Sequence, residues 1–293
     1  MHGDFGVPCV NDTIAHLIQI ERLPELYRQT VEARWVGLAA TIAATHAAKG
    51  RQIVIGINGA QGSGKSTLCK FLEALLAENH SLKAVTLSLD DVYLTKAERH
   101  ALAATVHPLF ATRGVPGTHD LNLAAEKFDA LRAESGTLAL PRFDKSIDDR
   151  APPSYWPKVQ LPIDVVLFEG WCIGAKPQTR EALTAPINML EAEEDTLGYW
   201  RAAVNRALAE DYPELFAVLD SLIMLQAPSF EAIHAWRQQQ EAKLRTKTGY
   251  GMNEAEVTRF IAHYERLTRH MLEVMPAEAN IVIKLGEQRQ ILS

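Results

Sequence analysis

Cysteine is scarce and scattered. Cys9, Cys69 and Cys172 are odd in number and far apart, which excludes a disulfide framework and a paired CxxC metal site and leaves reduced thiols as the reading. A surplus of positive charge is also missing: 30 Lys and Arg stand against 36 Asp and Glu, for a net charge of −6. Coating of nucleic acid rewards clustered Lys and Arg, so no nucleic-acid partner is expected. No apolar run is long enough to span a bilayer, so no membrane partner is expected. The opening Met1-His2-Gly3-Asp4 lacks a basic segment leading into an apolar one, and a cytoplasmic location follows as the expectation. Internal repeats and low-complexity tracts are absent too, which excludes solenoids and linkers.

What remains is the composition of an ordinary globular protein, 47% hydrophobic and 23% charged over 293 residues. Residues 12–47 read as two helices, because Ile14, Leu17 and Ile18, then Leu26, Val31, Trp35, Leu38 and Ile42 recur at helical spacing. Lys49-Gly50 stops them. Residues 1–50 are thus expected to be a helical extension, and 51–293 the main domain. There, short β-branched runs (52–58, 83–89, 163–168, 220–226 and 280–285) alternate with helices near 66–78, 95–104, 122–134, 196–208, 229–246 and 253–272. This alternation predicts an α/β fold: a three-layer arrangement with a mostly parallel central sheet. Pro- and Gly-rich loops at 105–120 and 141–162 are candidate ligand walls, since ligands bind beyond the carboxyl ends of such strands.

The first of these strands runs into Gly59-Ala60-Gln61-Gly62-Ser63-Gly64-Lys65-Ser66, followed by Thr67. The pattern fits GxxxxGK[ST], a phosphate-binding P-loop. Gly59, Gly62 and Gly64 are expected at positive φ, so that successive N–H groups point at an anion. The next helix presents its N-terminus to the same charge. Lys65 reaches the β and γ oxygens of ATP, and Ser66 is a candidate magnesium ligand. An acidic protein accommodates that anion if positive charge is concentrated at the site.

Guanine-reading NKxD and transporter-type LSGGQ segments are missing, which leaves the second motif to decide the class. At the end of the second strand stands Ser88-Leu89-Asp90-Asp91-Val92-Tyr93. A carboxylate there is placed to take the proton of an attacking hydroxyl; Asp90 is the first choice and Asp91 the second, while capping of a following helix is the alternative. The strand 163–168 ends in Glu169-Gly170-Trp171, so Glu169 stands where such proteins hold magnesium. Between them lie Arg113-Gly114-Val115-Pro116-Gly117-Thr118-His119-Asp120 and Arg142-Phe143-Asp144-Lys145-Ser146-Ile147-Asp148-Asp149-Arg150, which mix turn formers with charge. Asp120 is a ligand or a helix cap, and Lys145 and Arg150 bind an anion or form ion pairs. On the late helix, Arg237, Arg245 and Lys247 are candidates for a mobile lid that closes on the triphosphate.

The order GxxGxQGSGKST, SxDDxY, RGxPGTHD, DKS…DR, FEGW and WRxQQE resembles the D-glycerate 3-kinase family of plants and fungi. That family lies within the phosphoribulokinase/uridine kinase/pantothenate kinase group, and the likeness covers residues 51–293. It implies a P-loop kinase fold with a helical lid and ATP-dependent transfer to a hydroxyl of a small carboxylated acceptor. By the same likeness Asp90 is the base, Lys65, Ser66 and Glu169 hold phosphate and magnesium, and Arg237 is the lid arginine. Asp91, Tyr93, Arg113, His119, Asp120, Asp144, Lys145 and Arg150 are the candidate substrate-binding residues, with a structural role as the alternative for His119, and the likeness implies that 280–291 borders adenine. Val92 and Phe143 replace aromatic and tyrosine positions of the family, and the Lys145–Arg150 stretch is shorter; these departures touch the acceptor pocket. A nucleoside- or pantothenate-like acceptor is the nearest alternative, and a P-loop switch ATPase the alternative from another class. Oligomeric state is not legible.

Overall fold

The computed structural model describes residues 10–249 and 251–292. Cys9 lies outside them, and Cys69 and Cys172 are buried free thiols. The chain opens with α1 (Val10–Ile20), turns at Arg22 (φ 53°), and continues through α2 (Tyr27–Thr30) and a π-helical stretch, Val31–Trp35, into α3 (Val36–Lys49). The second expected helix is therefore one rod with a widened turn, where the Trp35 indole donates to the Tyr27 hydroxyl at 3.1 Å. Gly50, at φ 61°, ends it.

The alternating region follows: β1 (Ile53–Gly59), α4 (Lys65–His80), β2 (Ala84–Ser88), α5 (Lys96–Thr105) and α6 (Leu121–Leu131). Next come β3 (Gly136–Ala139), β4 (Phe143–Asp144), β5 (Asp149–Arg150), β6 (Lys158–Leu161) and β7 (Val165–Gly170). The remainder comprises α7 (Met189–Glu194), α8 (Tyr199–Glu210), α9 (Tyr212–Phe216), β8 (Ser221–Gln226), α10 (Phe230–Thr248), α11 (Glu254–Val274) and β9 (Ile281–Lys284).

Five strands form one parallel sheet in the order β2-β7-β1-β8-β9. The central strands β1 and β7 are buried along their whole length, which is why they read as unbroken apolar runs. Their register decides the position of the site. Glu169 of β7 pairs with both Ile57 of β1 and Ser88 of β2, so three strands end level and their following loops share one rim.

Helices cover both faces of the sheet. On one, Leu68, Phe71, Leu72 and Leu75 of α4 join Ile14, Ile18, Trp35 and Leu38 of the N-terminal helices in a single cluster with Ile53, Ile55 and Ile57. On the other, Val166 and Phe168 pack with Phe128, Tyr212, Tyr264 and Leu267. Each fully buried side chain of this size stabilises the fold by about 1.5–3 kcal/mol, so the N-terminal helices are tied to the phosphate-loop helix by several such contacts.

The expected loop at 141–162 is more ordered than its prolines suggest. Strands β3 and β6 form an antiparallel arm, and β4 and β5 form a two-residue hairpin within it.

Candidate active site

The phosphate loop forms where β1 ends. Gly62 and Gly64 sit at φ 79° and 93°, a conformation that disfavours any other residue. Gly59 does not share it, against expectation; its requirement is clearance, because a Cβ there would lie 2.7 Å from Ser63 Oγ and 3.1 Å from Lys65 Cγ. Lys65 donates to the Ala60 carbonyl at 3.3 Å. Gln61 Oε1 and Ser63 Oγ are buried without a hydrogen-bond partner in the protein. Buried polar atoms in a folded protein are normally paired, so these mark a cradle shaped for a polar ligand. Thr67 turns away from it and donates to Glu21 at 3.4 Å, and Lys70 pairs with the same carboxylate at 2.5 Å.

Beside the loop the Ser66 hydroxyl donates to Glu169 Oε1 at 2.9 Å, and Ser88 donates to the same oxygen at 3.1 Å. Lys65 Nζ stands 4.0 Å from Glu169 Oε2. A serine hydroxyl and a buried carboxylate at the mouth of a phosphate loop are hard oxygen donors, and fit a magnesium ion that keeps waters and shares phosphate oxygens. Among the described residues no group of three or more His, Cys, Asp or Glu forms a self-contained metal cage.

The paired aspartates part company. Asp90 receives the Tyr93 hydroxyl on Oδ1 and Lys145 Nζ on Oδ2, both at 2.7 Å. Burial raises its pKa, but Lys145, Lys65 and the Tyr93 bond outweigh that and hold it well below the ordinary carboxylate range. Asp91, also in the cleft wall, is committed to the hairpin: Arg142 and the Phe143 N–H each donate to it at 3.0 Å. Burial lifts its pKa despite both partners. Asp91 thus ties the β4–β5 hairpin to the sheet edge, whereas Asp90, in the same wall, is bonded to Tyr93 and Lys145. Ser88, not either aspartate, caps the short turn that follows.

The charged loops meet around this pair. Arg150 pairs with Asp120 at 2.9 Å and donates to the Tyr93 carbonyl at 2.8 Å, so both are occupied within the protein. Asp120 also caps α6 through the Leu123 N–H, which makes it a cap and an ion-pair partner. Asp144 is turned to the hairpin tip, where it accepts from Ser146. Arg113 joins the wholly buried Arg99 on Asp148, and both guanidinium groups flank the Phe143 ring, at 5.3 and 5.5 Å. Phe143 therefore has a packing role where a hydroxyl would meet two cations. Val92 is fully buried in the core.

His119 stacks on Tyr93 with ring centres 4.7 Å apart. Its Nδ1 lies 2.5 Å from the Tyr212 hydroxyl, which already accepts from the Gly117 N–H. Tyr212 therefore gives its proton to Nδ1, and Nε2 carries the ring proton without a partner in the protein. Burial drives the His119 pKa down to about 3, against the opposing charge of Asp90.

Arg237 is not brought into the cleft. Its guanidinium pairs with Glu241 and lies over the Phe260 ring. Glu241 also accepts from the Met252 N–H, which ties α10 to the turn before α11. Arg245 donates to the Met252 carbonyl; the Lys247 side chain lies outside the described residues. The C-terminal segment touches the phosphate loop: Arg289 donates to the Gly62 carbonyl at 2.7 Å and covers Trp236.

Two site residues escaped the sequence reading. Arg142 lines the cleft beside Lys145, and only its place before the hairpin could have marked it. Tyr264 donates to the Arg113 carbonyl beneath Gly114 and is buried; its signal was one aromatic position on an amphipathic helix. The cleft itself measures about 470 Å³, and its lining includes Ser66, Asp90, Asp91, Arg142, Lys145 and Glu169.

Comparison with known proteins places this architecture. The phosphoribulokinase/uridine kinase family matches residues 54–185, the stretch that holds the phosphate loop, Asp90 and Glu169. An uncharacterized kinase of Schizosaccharomyces pombe, mug58, is 36% identical over 226 residues, which cover 74% of this chain and 79% of that protein. The chain belongs to the phosphoribulokinase/uridine kinase family. This kinase is also 34% identical over 238 residues to a chloroplastic D-glycerate 3-kinase of Arabidopsis thaliana, covering 77% of the chain but 49% of that longer relative. The solved structure of a D-glycerate 3-kinase from Cryptococcus neoformans superposes with a TM-score of 0.73 at 26% identity, over 92% of this chain and 98% of that one. No helix among the described residues is long and apolar enough to cross a membrane.

Proposed function

We propose that this kinase transfers the γ-phosphoryl group of ATP to a hydroxyl of D-glycerate, forming 3-phosphoglycerate. The observation that carries the reading is Asp90: a cleft-facing carboxylate, bonded to Tyr93 and Lys145, on the same rim as Lys65, Ser66 and Glu169. It can accept the proton of an acceptor hydroxyl as that oxygen bonds to the γ-phosphorus and the bond to the ADP oxygen breaks. Lys65 stabilises the charge that spreads over the phosphoryl oxygens. Arg237 adds to it once α10 closes and its guanidinium leaves Glu241. Ser66 and Glu169 would hold the magnesium ion, which supplies charge neutralisation on the phosphates.

The lining supports a carboxylated acceptor over a nucleoside. Lys70, Arg142 and Lys145 stand in the cleft wall among Glu73, Asp90, Asp91 and Glu169, each cation paired with a carboxylate of the protein, and no aromatic ring is among the lining residues. Cations suit a carboxylate, whereas a nucleoside would need a ring to stack its base. The relatives that act on D-glycerate support the same choice.

The test is coupled ADP release with Mg-ATP and a panel of D-glycerate, L-glycerate, pantothenate, uridine, ribulose 5-phosphate and no acceptor. Stimulation by D-glycerate alone is the expected result. Stimulation by another acceptor instead would keep the chemistry and replace the substrate. Hydrolysis indifferent to every acceptor would favour a switch ATPase.

A further inference from the structure

We infer that Lys145 is a specificity-determining residue that blocks the base until an anionic acceptor draws it away. The inference rests on the assignment of Asp90 as base and of a carboxylated acceptor. Both oxygens of Asp90 carry a donor: Tyr93 comes from the same turn, and Lys145 from the tip of the β4–β5 hairpin 55 positions along the chain. The two partners differ in kind. Tyr93 is buried and fixed between the His119 and Phe143 rings, so it orients the carboxylate permanently. The Lys145 side chain is 59% exposed, and its Nζ makes one bond, to Asp90.

The hairpin backbone is held on both strands and at Asp148, across the loop from Lys145. Asp148 is gripped by Arg99 and Arg113, Asp149 accepts from the Lys96 N–H, and Asp91 holds the Phe143 N–H. The Lys145 stem can therefore swing while the strand beneath it stays. The ammonium stays largely in solvent, so a second carboxylate arriving in the cleft competes for it on equal terms.

The exchange couples substrate to chemistry. With no acceptor, Lys145 covers the oxygen that would otherwise take a proton from a water molecule, and ATP is spared. An acceptor carboxylate takes over Lys145, and the acceptor's primary hydroxyl, two carbons from that carboxylate, then faces the freed Oδ2. That hydroxyl gives its proton to Asp90 as its oxygen bonds to the γ-phosphorus and ADP departs. A neutral polyol of the same size leaves Lys145 in place and reacts slowly.

The experiment measures ADP release from Mg-ATP by the wild-type protein, Lys145→Met and Lys145→Arg, with no acceptor, with D-glycerate and with glycerol. For Lys145→Met, acceptor-free hydrolysis should rise roughly tenfold, a part of the effect a general base supplies. Its preference for D-glycerate over glycerol should fall by about the same factor, and Lys145→Arg should retain the low basal rate and much of the preference. Acceptor-free hydrolysis of Lys145→Met at or below the wild-type level would overturn the inference. So would an undiminished preference for D-glycerate. If the wild-type protein phosphorylates no glycerate, the substrate reading fails separately, and the acceptor-free rates still decide the role of Lys145.

Discussion

Replacing Asp90 by asparagine separates catalysis from stability. The side chain keeps its shape, and the amide oxygen still accepts from Tyr93, but the proton acceptor is lost. Lys145 and Asp90 are 59% and 35% exposed, so losing their ion pair costs at most about 1 kcal/mol. In a chain of this length that moves the melting midpoint by about 2–4 °C. Loss of a general base lowers turnover by about 10²–10⁴, equivalent to about 3–5 kcal/mol on the barrier. Nucleotide affinity should hold within about threefold, since Asp90 makes no hydrogen bond to the phosphate loop. Three measurements on one preparation suffice: coupled ADP release with D-glycerate, titration with a fluorescent ATP analogue, and a thermal melt. Turnover within tenfold of wild type at an unchanged midpoint would refute the assignment and turn attention to Asp91. A melt lowered by more than about 6 °C would instead make Asp90 a structural residue.

Lys65→Ala should lower turnover at least 10²-fold, because it removes the cation nearest Glu169, and ADP release at saturating ATP checks it. Gly114→Ala should destabilise the fold by about 3 kcal/mol or more, since the backbone there has φ 130° and a Cβ would overlap the Tyr264 ring; urea unfolding measures it. Stability should fall as pH drops below 6.5, because burial lowers His263 to about 4 and His119 to about 3, so the unfolded chain takes up protons that the native state refuses. Each group then removes up to about 2 kcal/mol at pH 5 relative to pH 7.5, and His263→Gln should flatten the pH slope of urea unfolding by one such increment.

Much of the sheet was legible because β1 and β7 are short apolar runs buried along their whole length, while β2, at the sheet edge, alternates between buried and half-buried positions. The phosphate loop was legible because its glycines and lysine stand at fixed spacing. Where the reading failed, the cause was contact across long stretches of chain. Two-residue strands such as β4 and β5 carry no period, and they exist because Asp91, Arg99 and Arg113 hold them. Nothing local to α5 marks Arg99 for complete burial; its partner Asp148 lies 49 positions away. The pairing of Asp91 with Arg142 in the cleft wall likewise depends on a residue 51 positions on. Gly59 shows a different limit: a motif glycine signals that a Cβ is unwelcome, but not whether the backbone dihedral or a neighbour forbids it.

The helices before β1 bear on how this kinase meets its nucleotide. Ile14, Ile18, Trp35 and Leu38 pack in one cluster with α4 and β1, and Glu21 binds both Thr67 and Lys70 at the start of α4. The start of the helix that follows the phosphate loop is therefore held in place by contacts within the protein. Little ordering entropy is left for the binding step to supply. Nucleotide binding to the intact chain should then show a small heat-capacity change, while a chain lacking those helices would have to fold part of its phosphate site around the ligand.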